Sequence, residues 1–253
     1  MKRIKVLDTQ ITSLTMDEAL EKTEELIISG RGGRIFTPNA NIIEYADKNK
    51  DFLKILNSAS LSLCDGIGVS IGAFLLGCGR VRRICGVDFG FALAELCAKK
   101  GYTLYLLGGK EGVALEAARS LTKRFPSLKI AGTHDGYFED EIEVLSEISL
   151  SGAQVLYVCL GSPKQEEFIY NTQKYLSDTL MVGLGGSIDI YSGKVRRAPK
   201  LLRKLGFEWL YRIVTEPSRL KKAKMFSFAM SVLKKRFFVK NADKSAKIFL
   251  KKG

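Results

Sequence analysis

A carboxylate and two glycines follow a short apolar run in the sequence LSLCDGIG at residues 61–68. The run predicts a buried strand, and the apolar stretch at 67–76 predicts the helix after it. Asp65 would then lie at the carboxyl edge of a sheet, where open α/β sheets bind ligands. A carboxylate there is able to act as a general base on an acceptor hydroxyl. The alternative is that Asp65 caps the helix, since Asp is a preferred N-cap residue.

A second strand end also carries polar side chains. The strand predicted at residues 34–37 stops at Pro38, which has no backbone N–H to continue a ladder. Thr37 and Asn39 are therefore expected at the same sheet edge as the carboxylate. A plainer interpretation is that Asn39 or Asn41 only caps the next helix.

Basic side chains are the available partners for an anion. Arg80, Arg82 and Arg83 fall within four residues of one loop, where they form either a solvated surface or a site for a phosphate or sugar acid. The chain has no D-x-D motif, and its single histidine, His134, has no acidic cluster around it, so a catalytic divalent ion lacks obvious ligands. The charge of a departing diphosphate would then be met by Arg83, Lys164, the basic C-terminal tail and backbone N–H groups.

Glycines follow four further predicted strands, and they are Gly108-Gly109, Gly136, Gly161 and Gly185-Gly186. Glycine lets a phosphate approach the backbone, and the helix N-terminus that follows attracts the anion. Four such ends on one edge favour a nucleotide cleft. The usual dinucleotide and triphosphate fingerprints are absent. Tyr137 either stacks on a base or is an ordinary half-buried tyrosine.

These residues are positioned by strands that alternate with helices, which predicts an α/β fold: a Rossmann-like parallel sheet covered by helices. Strands are expected at 4–6, 11, 34–37, 61–63, 103–107, 128–131, 154–160 and 180–184. Helices are expected at 15–28, 67–76, 88–100, 111–125 and 139–149, with two more that end at 57 and 176.

Charge divides the 253 residues into two parts. The net charge is +13, but the chain from residue 194 onward carries +16 and the first 193 residues carry −3. We therefore predict a body at 1–195 and a basic helical appendage at 196–253, with helices at 199–214 and 218–240. Because basic residues alternate with Leu, Phe and Trp, the appendage is expected to bind an anionic membrane surface, to bind nucleic acid, or to pack on the core with a solvated basic face.

The remaining composition is that of a globular protein, with 46% apolar and 26% charged residues. Five scattered cysteines without a C-x-x-C pair predict reduced thiols in a cytosolic protein, with neither disulfides nor zinc. No signal peptide and no membrane-spanning run are expected.

Nine motifs in one order resemble the WecG/TagA/CpsF family (glycosyltransferase family 26) across about residues 4–240. They are TPN at 37–39, DG at 65–66, RxxGxD at 83–88, LLGG at 106–109, GYF at 136–138, GSPKQE at 161–166, GGSID at 185–189, GKVRRAP at 193–199 and EWLYR at 208–212. Cys64 stands where many relatives are expected to have proline.

The resemblance implies an inverting glycosyltransferase that needs no cofactor. It would move N-acetylmannosamine from UDP-N-acetylmannosamine to undecaprenyl-diphosphate-linked N-acetylglucosamine in β-1,4 linkage, for teichoic acid or another surface polysaccharide. One alternative is the same fold with another UDP-sugar as donor, carrying N-acetylmannosaminuronic acid or glucose. The other is a non-catalytic nucleotide-binding module. The enzyme would be cytoplasmic and peripheral on the inner face of the membrane, with no nucleic acid partner and a possible homo-oligomer in solution.

The resemblance also assigns roles to residues. Asp65 would be the general base, with Thr37, Asn39, Arg83 and Gln165 positioning the sugar and phosphates. The residues expected to bind the nucleotide-sugar are Gly108, Gly109, Gly136, Tyr137, Gly161, Lys164, Gly186 and Asp189. The appendage residues expected to meet the diphosphate are Arg212, Arg219 and Lys222.

Overall fold

A computed structural model describes residues 2–204, 206–215 and 227–237. Its strands are β1 (Arg3–Val6), β2 (Thr9–Thr12), β3 (Gly33–Phe36), β4 (Leu61–Ser62), β5 (Thr103–Gly108), β6 (Lys129–His134), β7 (Val155–Cys159) and β8 (Leu180–Gly183). β1 and β2 form an antiparallel pair. The other six form one parallel sheet in the order β4-β3-β8-β7-β5-β6. The predicted α/β fold is therefore confirmed.

Helices cover this sheet. They are α1 (Met16–Ile28), α2 (Ala40–Lys48), α3 (Lys50–Asn57), α4 (Ile67–Leu75), α5 (Gly86–Lys100), α6 (Val113–Arg124), α7 (Glu141–Leu150), α8 (Lys164–Thr172), α9 (Ser187–Tyr191), α10 (Lys200–Lys204) and α11 (Glu208–Thr215). A further helix spans residues 227–237. None of the helices in the described ranges combines the length and apolar character needed to cross a bilayer.

The sheet has an apolar layer on each face because successive strand residues point to opposite sides. In β5, Leu104 and Leu106 join the core beneath α1, α5, α6 and α9, whereas Tyr105 and Leu107 join the core beneath α2, α3, α7 and α8. All four side chains are fully buried. Burial on both faces explains why the strands appear in the sequence as continuous apolar runs rather than as alternating ones.

Two helices that the sequence predicts as continuous are broken. The helix expected to end at 57 is split at Asn49, whose backbone is extended and whose side chain accepts a hydrogen bond from Phe52 N to begin α3. The helix expected at 199–214 is split into α10 and α11 at Gly206, which adopts a φ of +81°. Both breaks leave the apolar periodicity intact, so periodicity alone does not reveal them.

The helix at 227–237 packs against α4 on the outside of the body. Phe228 and Val232 are buried in a small apolar core shared with Val69 and Ala73. Gly72 makes this close approach possible because its missing side chain leaves room for the Phe228 ring. Polar contacts complete the interface, and they join Ser227 to Glu44, Lys235 to Asp8 and Arg236 to the Leu75 carbonyl.

Candidate active site

Backbone hydrogen bonds beyond the ends of β3 and β4 bring Asp65 beside the Thr37–Asn39 segment. Leu63 N donates to Phe36 O at 2.8 Å, and Asp65 N donates to Pro38 O at 3.0 Å. The parallel pairing of the two strands therefore continues past their last assigned residues. It places the predicted base and the predicted sugar-binding residues side by side at the carboxyl edge of the sheet.

Asp65 is not the N-cap of the helix that follows. Gly66 occupies that position, with φ 90° and ψ 146°, and α4 begins at Ile67 without a side-chain cap from it. The capping alternative for Asp65 is therefore wrong. A positive φ of this size is a conformation that glycine adopts without the penalty of a side chain, and it turns the chain sharply between the carboxylate and the helix.

Thr37, Asp65 and the N-terminus of α5 surround one small polar space. Thr37 Oγ1 donates to Gly183 O at 2.8 Å, which links β3 to β8 at the edge. A Cβ placed on Gly86, the first residue of α5, would lie 3.2 Å from Thr37 Oγ1 and 3.6 Å from Asp65 Oδ2. Because Gly86 begins α5, both polar side chains lie beside the start of that helix.

Asn39 and Arg83 both make contacts that hold the fold together. Asn39 Oδ1 caps α2 by accepting from the backbone N–H groups of Asn41 and Ile42, so the capping interpretation is correct for this residue. Arg83 Nη2 donates to Arg203 O at 2.8 Å, at the carboxyl end of α10. The Arg203 carbonyl also accepts from Gly206 N at 3.1 Å, so Arg83 is a second donor to it and ties the loop that carries Arg83 to the end of α10.

Gln165 is buried and bonded at both ends of its amide. Its Oε1 accepts from Gly185 N at 2.7 Å, and its Nε2 donates to Glu166 Oε1 at 2.8 Å. Burial raises the pKa of Glu166 to about 7, against the opposing effect of the hydrogen bond from Gln165. Glu166 ends the GSPKQE motif at 161–166, but its burial was not predicted, because glutamate side chains are mostly exposed.

The glycines at the carboxyl ends of β5 and β6 pack closely against neighbouring backbone. Gly108 has a φ of +136°, and a Cβ on it would lie 2.5 Å from Cys159 O, so only glycine fits between the ends of β5 and β7. Gly136 N donates to Gly109 O at 2.8 Å. Tyr137 is 75% exposed, so the half-buried interpretation is wrong and its ring is accessible for stacking.

The other predicted nucleotide-sugar residues lie at the same sheet edge. Gly161 follows β7 in the loop before α8, and Lys164, the first residue of α8, is exposed. Gly186 is the N-cap of α9, and Asp189 lies in the first turn of that helix. In the strand order, β3 separates the end of β8 from Asp65 after β4, and β3 and β8 together separate the end of β7 from it.

An ion-pair cluster that the sequence did not predict joins the appendage to α5. Arg197 donates to both carboxylate oxygens of Asp88, at 2.6 and 2.8 Å, and its Nε lies 3.6 Å from Glu208. Desolvation raises the pKa of Asp88, but the hydrogen bonds and charge of Arg197 outweigh it and hold that pKa below its ordinary value. Asp88 lies in the RxxGxD motif and Arg197 in the GKVRRAP motif, so the motifs marked both residues but not the contact between them.

Three predicted diphosphate contacts are not described. The Arg212 side chain, Arg219 and Lys222 lie outside the described residues.

All five cysteines are free, and burial raises the pKa of Cys64 and Cys97 to about 12, so both are protonated thiols at neutral pH.

Comparison with known proteins supports the family resemblance that the nine sequence motifs indicated. A sequence model of the glycosyl transferase WecG/TagA/CpsF family matches residues 4–242. The N-acetylglucosaminyldiphosphoundecaprenol N-acetyl-beta-D-mannosaminyltransferase of Bacillus subtilis (strain 168) is 35% identical over 204 residues, or 80% of each chain. The protein of the same name from Bacillus spizizenii is 34% identical over 219 residues, covering 87% of this chain and 84% of the relative. The chain therefore belongs to the WecG/TagA/CpsF family of glycosyltransferases.

Proposed function

We propose that this glycosyltransferase moves N-acetylmannosamine from UDP-N-acetylmannosamine to undecaprenyl-diphosphate-linked N-acetylglucosamine, with inversion at the anomeric carbon and a β-1,4 linkage. The product class is a linkage unit for teichoic acid or a related cell-wall polymer. The names of the two Bacillus relatives support the acceptor and the transferred sugar. Membership of a glycosyltransferase family supports a hexosyltransferase reaction.

The observation that carries the proposal is the position of Asp65 beside Thr37 and the start of α5. Asp65 takes the proton of the acceptor hydroxyl as its oxygen attacks the anomeric carbon of the donor. The bond from that carbon to the diphosphate breaks, and UDP leaves with the electron pair. Thr37, Asn39 and Gln165 orient the sugar, while Arg83, Lys164 and backbone N–H groups offset the charge of the diphosphate.

We further propose that the appendage holds the enzyme on the anionic inner surface of the membrane. Two helices support this because each exposes an apolar row at i, i+3 and i+7, which is the spacing of one helix face. The rows are Leu210 and Val214 on α11 with Phe207 just before it, and Met230, Leu233 and Phe237 on the helix at 227–237. Lys and Arg residues surround them in the sequence, as in helices that lie in a membrane interface. A homo-oligomer in solution stays a prediction.

The first test measures UDP release from a panel of UDP-sugars with the lipid-diphosphate N-acetylglucosamine acceptor. Acceptor-dependent release from UDP-N-acetylmannosamine is expected, and release that survives EDTA would support a metal-independent reaction. Release only with another UDP-sugar would change the donor and keep the mechanism. No release with any donor from a protein that still binds UDP would favour the nucleotide-binding module.

The second test is Asp65→Asn, which keeps the size of the side chain and removes the base. Turnover is expected to fall about 10²–10⁴-fold, as the loss of a general base does, while UDP still binds. Asp178→Asn is the matched control, because Asp178 is an exposed residue that precedes β8 at the opposite end of that strand from the site. Full activity in the Asp65 variant would refute the mechanism.

The third test removes the appendage. A chain that ends after Ala198 is expected to fold and to bind UDP, but to lose nearly all transfer to the lipid acceptor. Unchanged transfer would show that the appendage contributes nothing to the site.

A further inference from the structure

Glu166 is an acidic residue in the core that the mechanism above does not use. Its side chain is 1% exposed, and its Oε2 has no hydrogen-bond partner within the described residues. Burying a carboxyl group with an unused oxygen costs free energy, so its presence needs a compensating contact. Gln165 Nε2 donates to Glu166 Oε1 at 2.8 Å, and the Ser162 side chain also interacts with this carboxyl group.

This contact determines which way the Gln165 amide faces. The amide oxygen accepts from Gly185 N, and the amide nitrogen donates to Glu166. Turning the amide by 180° would place two N–H donors face to face at Gly185 and two oxygens face to face at Glu166. An ionised carboxylate is the stronger acceptor for such a donor, since charge-assisted hydrogen bonds are shorter and stronger than neutral ones.

Contacts of Gln165 also lead from Glu166 toward Thr37, on the side of the site that holds Asp65. The Gln165 amide packs over Gly183, where a Cβ would lie 3.2 Å from Gln165 Nε2. The Gly183 carbonyl in turn accepts from Thr37 Oγ1. Gln165 therefore contacts the end of β8 on both sides of Leu184, at Gly183 and at Gly185.

We propose that Glu166 is a positioning residue for donor binding: by orienting the Gln165 amide, it holds the Gly185-Gly186 turn in the shape that receives the nucleotide. This inference rests on the proposed function, because it assumes that the turn faces the UDP-sugar. The competing explanation is structural. Glu166 lies in the first turn of α8, where a carboxylate stabilises the helix whatever its neighbour does.

A double-mutant cycle separates the two explanations, with UDP alone as the ligand in a calorimetric titration. Glu166→Leu removes the acceptor, and Gln165→Ala removes the group that it orients. Each is expected to weaken UDP binding on the order of tenfold, the effect of losing one buried polar contact. If Glu166 acts through Gln165, the double variant binds UDP no more weakly than Gln165→Ala. If the factors by which the two single changes weaken UDP binding multiply in the double variant, the proposal is overturned.

An exchange of the two side chains covers the case in which Glu166→Leu fails to fold. Gln165→Glu alone places two carboxyl groups against each other and should weaken UDP binding. The double change Gln165→Glu with Glu166→Gln restores an oxygen toward Gly185 N and a donor–acceptor pair between the two side chains. Recovery of most of the lost affinity is expected, and no recovery would overturn the proposal.

The control variant is Glu167→Gln, which removes the same charge from the next position of α8. It should leave the dissociation constant of UDP unchanged, and thermal unfolding of every variant would reveal a purely structural effect. A lowered melting temperature with unchanged UDP affinity in Glu166→Leu would refute the positioning role and leave the proposed function standing. Failure of the unaltered protein to bind UDP would contradict both.

Discussion

Gly72 offers a way to release the 227–237 helix from the body without altering the site. A Cβ on Gly72 would lie 2.8 Å from Phe228 Cζ and 3.4 Å from Val232 Cγ2. Phe228 and Val232 are 3% and 1% exposed. Since full burial of such side chains stabilises by about 1.5–3 kcal/mol each, their docking contributes about 3–6 kcal/mol. Any change at Gly72 acts on that contribution.

The size of the new side chain decides the outcome. Overpacking costs about 1–3 kcal/mol, so Gly72→Ala should weaken docking by about that amount, which is less than the docking contribution itself. Gly72→Leu places four carbon atoms where the Phe228 ring stands. We expect the 227–237 helix to leave α4 in this variant, with loss of most of the docking free energy.

Trypsin digestion followed by mass spectrometry measures the docking, because Lys234, Lys235 and Arg236 lie in the helix. Gly72→Leu should be cut there much faster than the unaltered protein, should retain UDP binding, and should lose transfer to the lipid acceptor. Ile71→Leu is the control, since it changes an exposed residue of the same helix. Normal protection and normal transfer in Gly72→Leu would refute the reasoning, as would equally fast cleavage of Gly72→Ala.

Three further changes test other contacts. Arg197→Met should lower the free energy of unfolding at pH 7 by about 1–2 kcal/mol. This is the contribution of a hydrogen-bonded charge pair, reduced because solvent screens Asp88, which is 43% exposed. Because the pKa of Asp88 is lowered, this stabilisation is present above its ordinary pKa and is lost as the pH falls through the lowered pKa, so urea unfolding of the two proteins should converge in acid. Gly90→Ala should lower the free energy of unfolding by about 1–3 kcal/mol, and so lower the melting temperature, because the new Cβ would overlap Tyr191 Oη. Phe237→Asp should weaken binding to anionic vesicles in a flotation assay.

Matched variants show whether these effects are specific. Arg196→Met removes an exposed neighbouring charge and should leave stability unchanged. Phe237→Leu keeps the apolar row and should keep vesicle binding. A pH-independent loss in Arg197→Met, an unchanged melting temperature in Gly90→Ala, or equal vesicle binding by the two Phe237 variants would contradict the corresponding argument.

Local signals predicted the parts of the fold that depend on local physics. The spacing of Thr15 and Glu18 is that of a capping box, and the two residues are bonded reciprocally at the start of α1. The strand–helix alternation also predicted the parallel sheet, because parallel neighbouring strands need a crossover connection, which is usually a helix. The break at Asn49 escaped prediction because an asparagine that caps a helix and one on a helix surface are indistinguishable in a periodic pattern.

Long-range contacts were beyond such signals. Arg197 meets Asp88 across 109 residues of chain, so the pair depends on the tertiary fold. The sequence likewise does not distinguish Asn39, which caps a helix, from Asp65, which does not, since both follow a strand and precede a helix. Family motifs identified the residues, and the fold showed which contacts each one makes.

The position of β8 has a consequence for synthesis of the chain. β8 is the last of the six strands to leave the ribosome, yet it lies third in the sheet and pairs with both β3 and β7. Until residue 183 emerges, β3-β4 and β7-β5-β6 are two separate ribbons, each with an unpaired edge that later becomes the centre of the molecule. Such edges attract other strands, so we expect chains that stop before β8 to aggregate rather than to persist as half-domains.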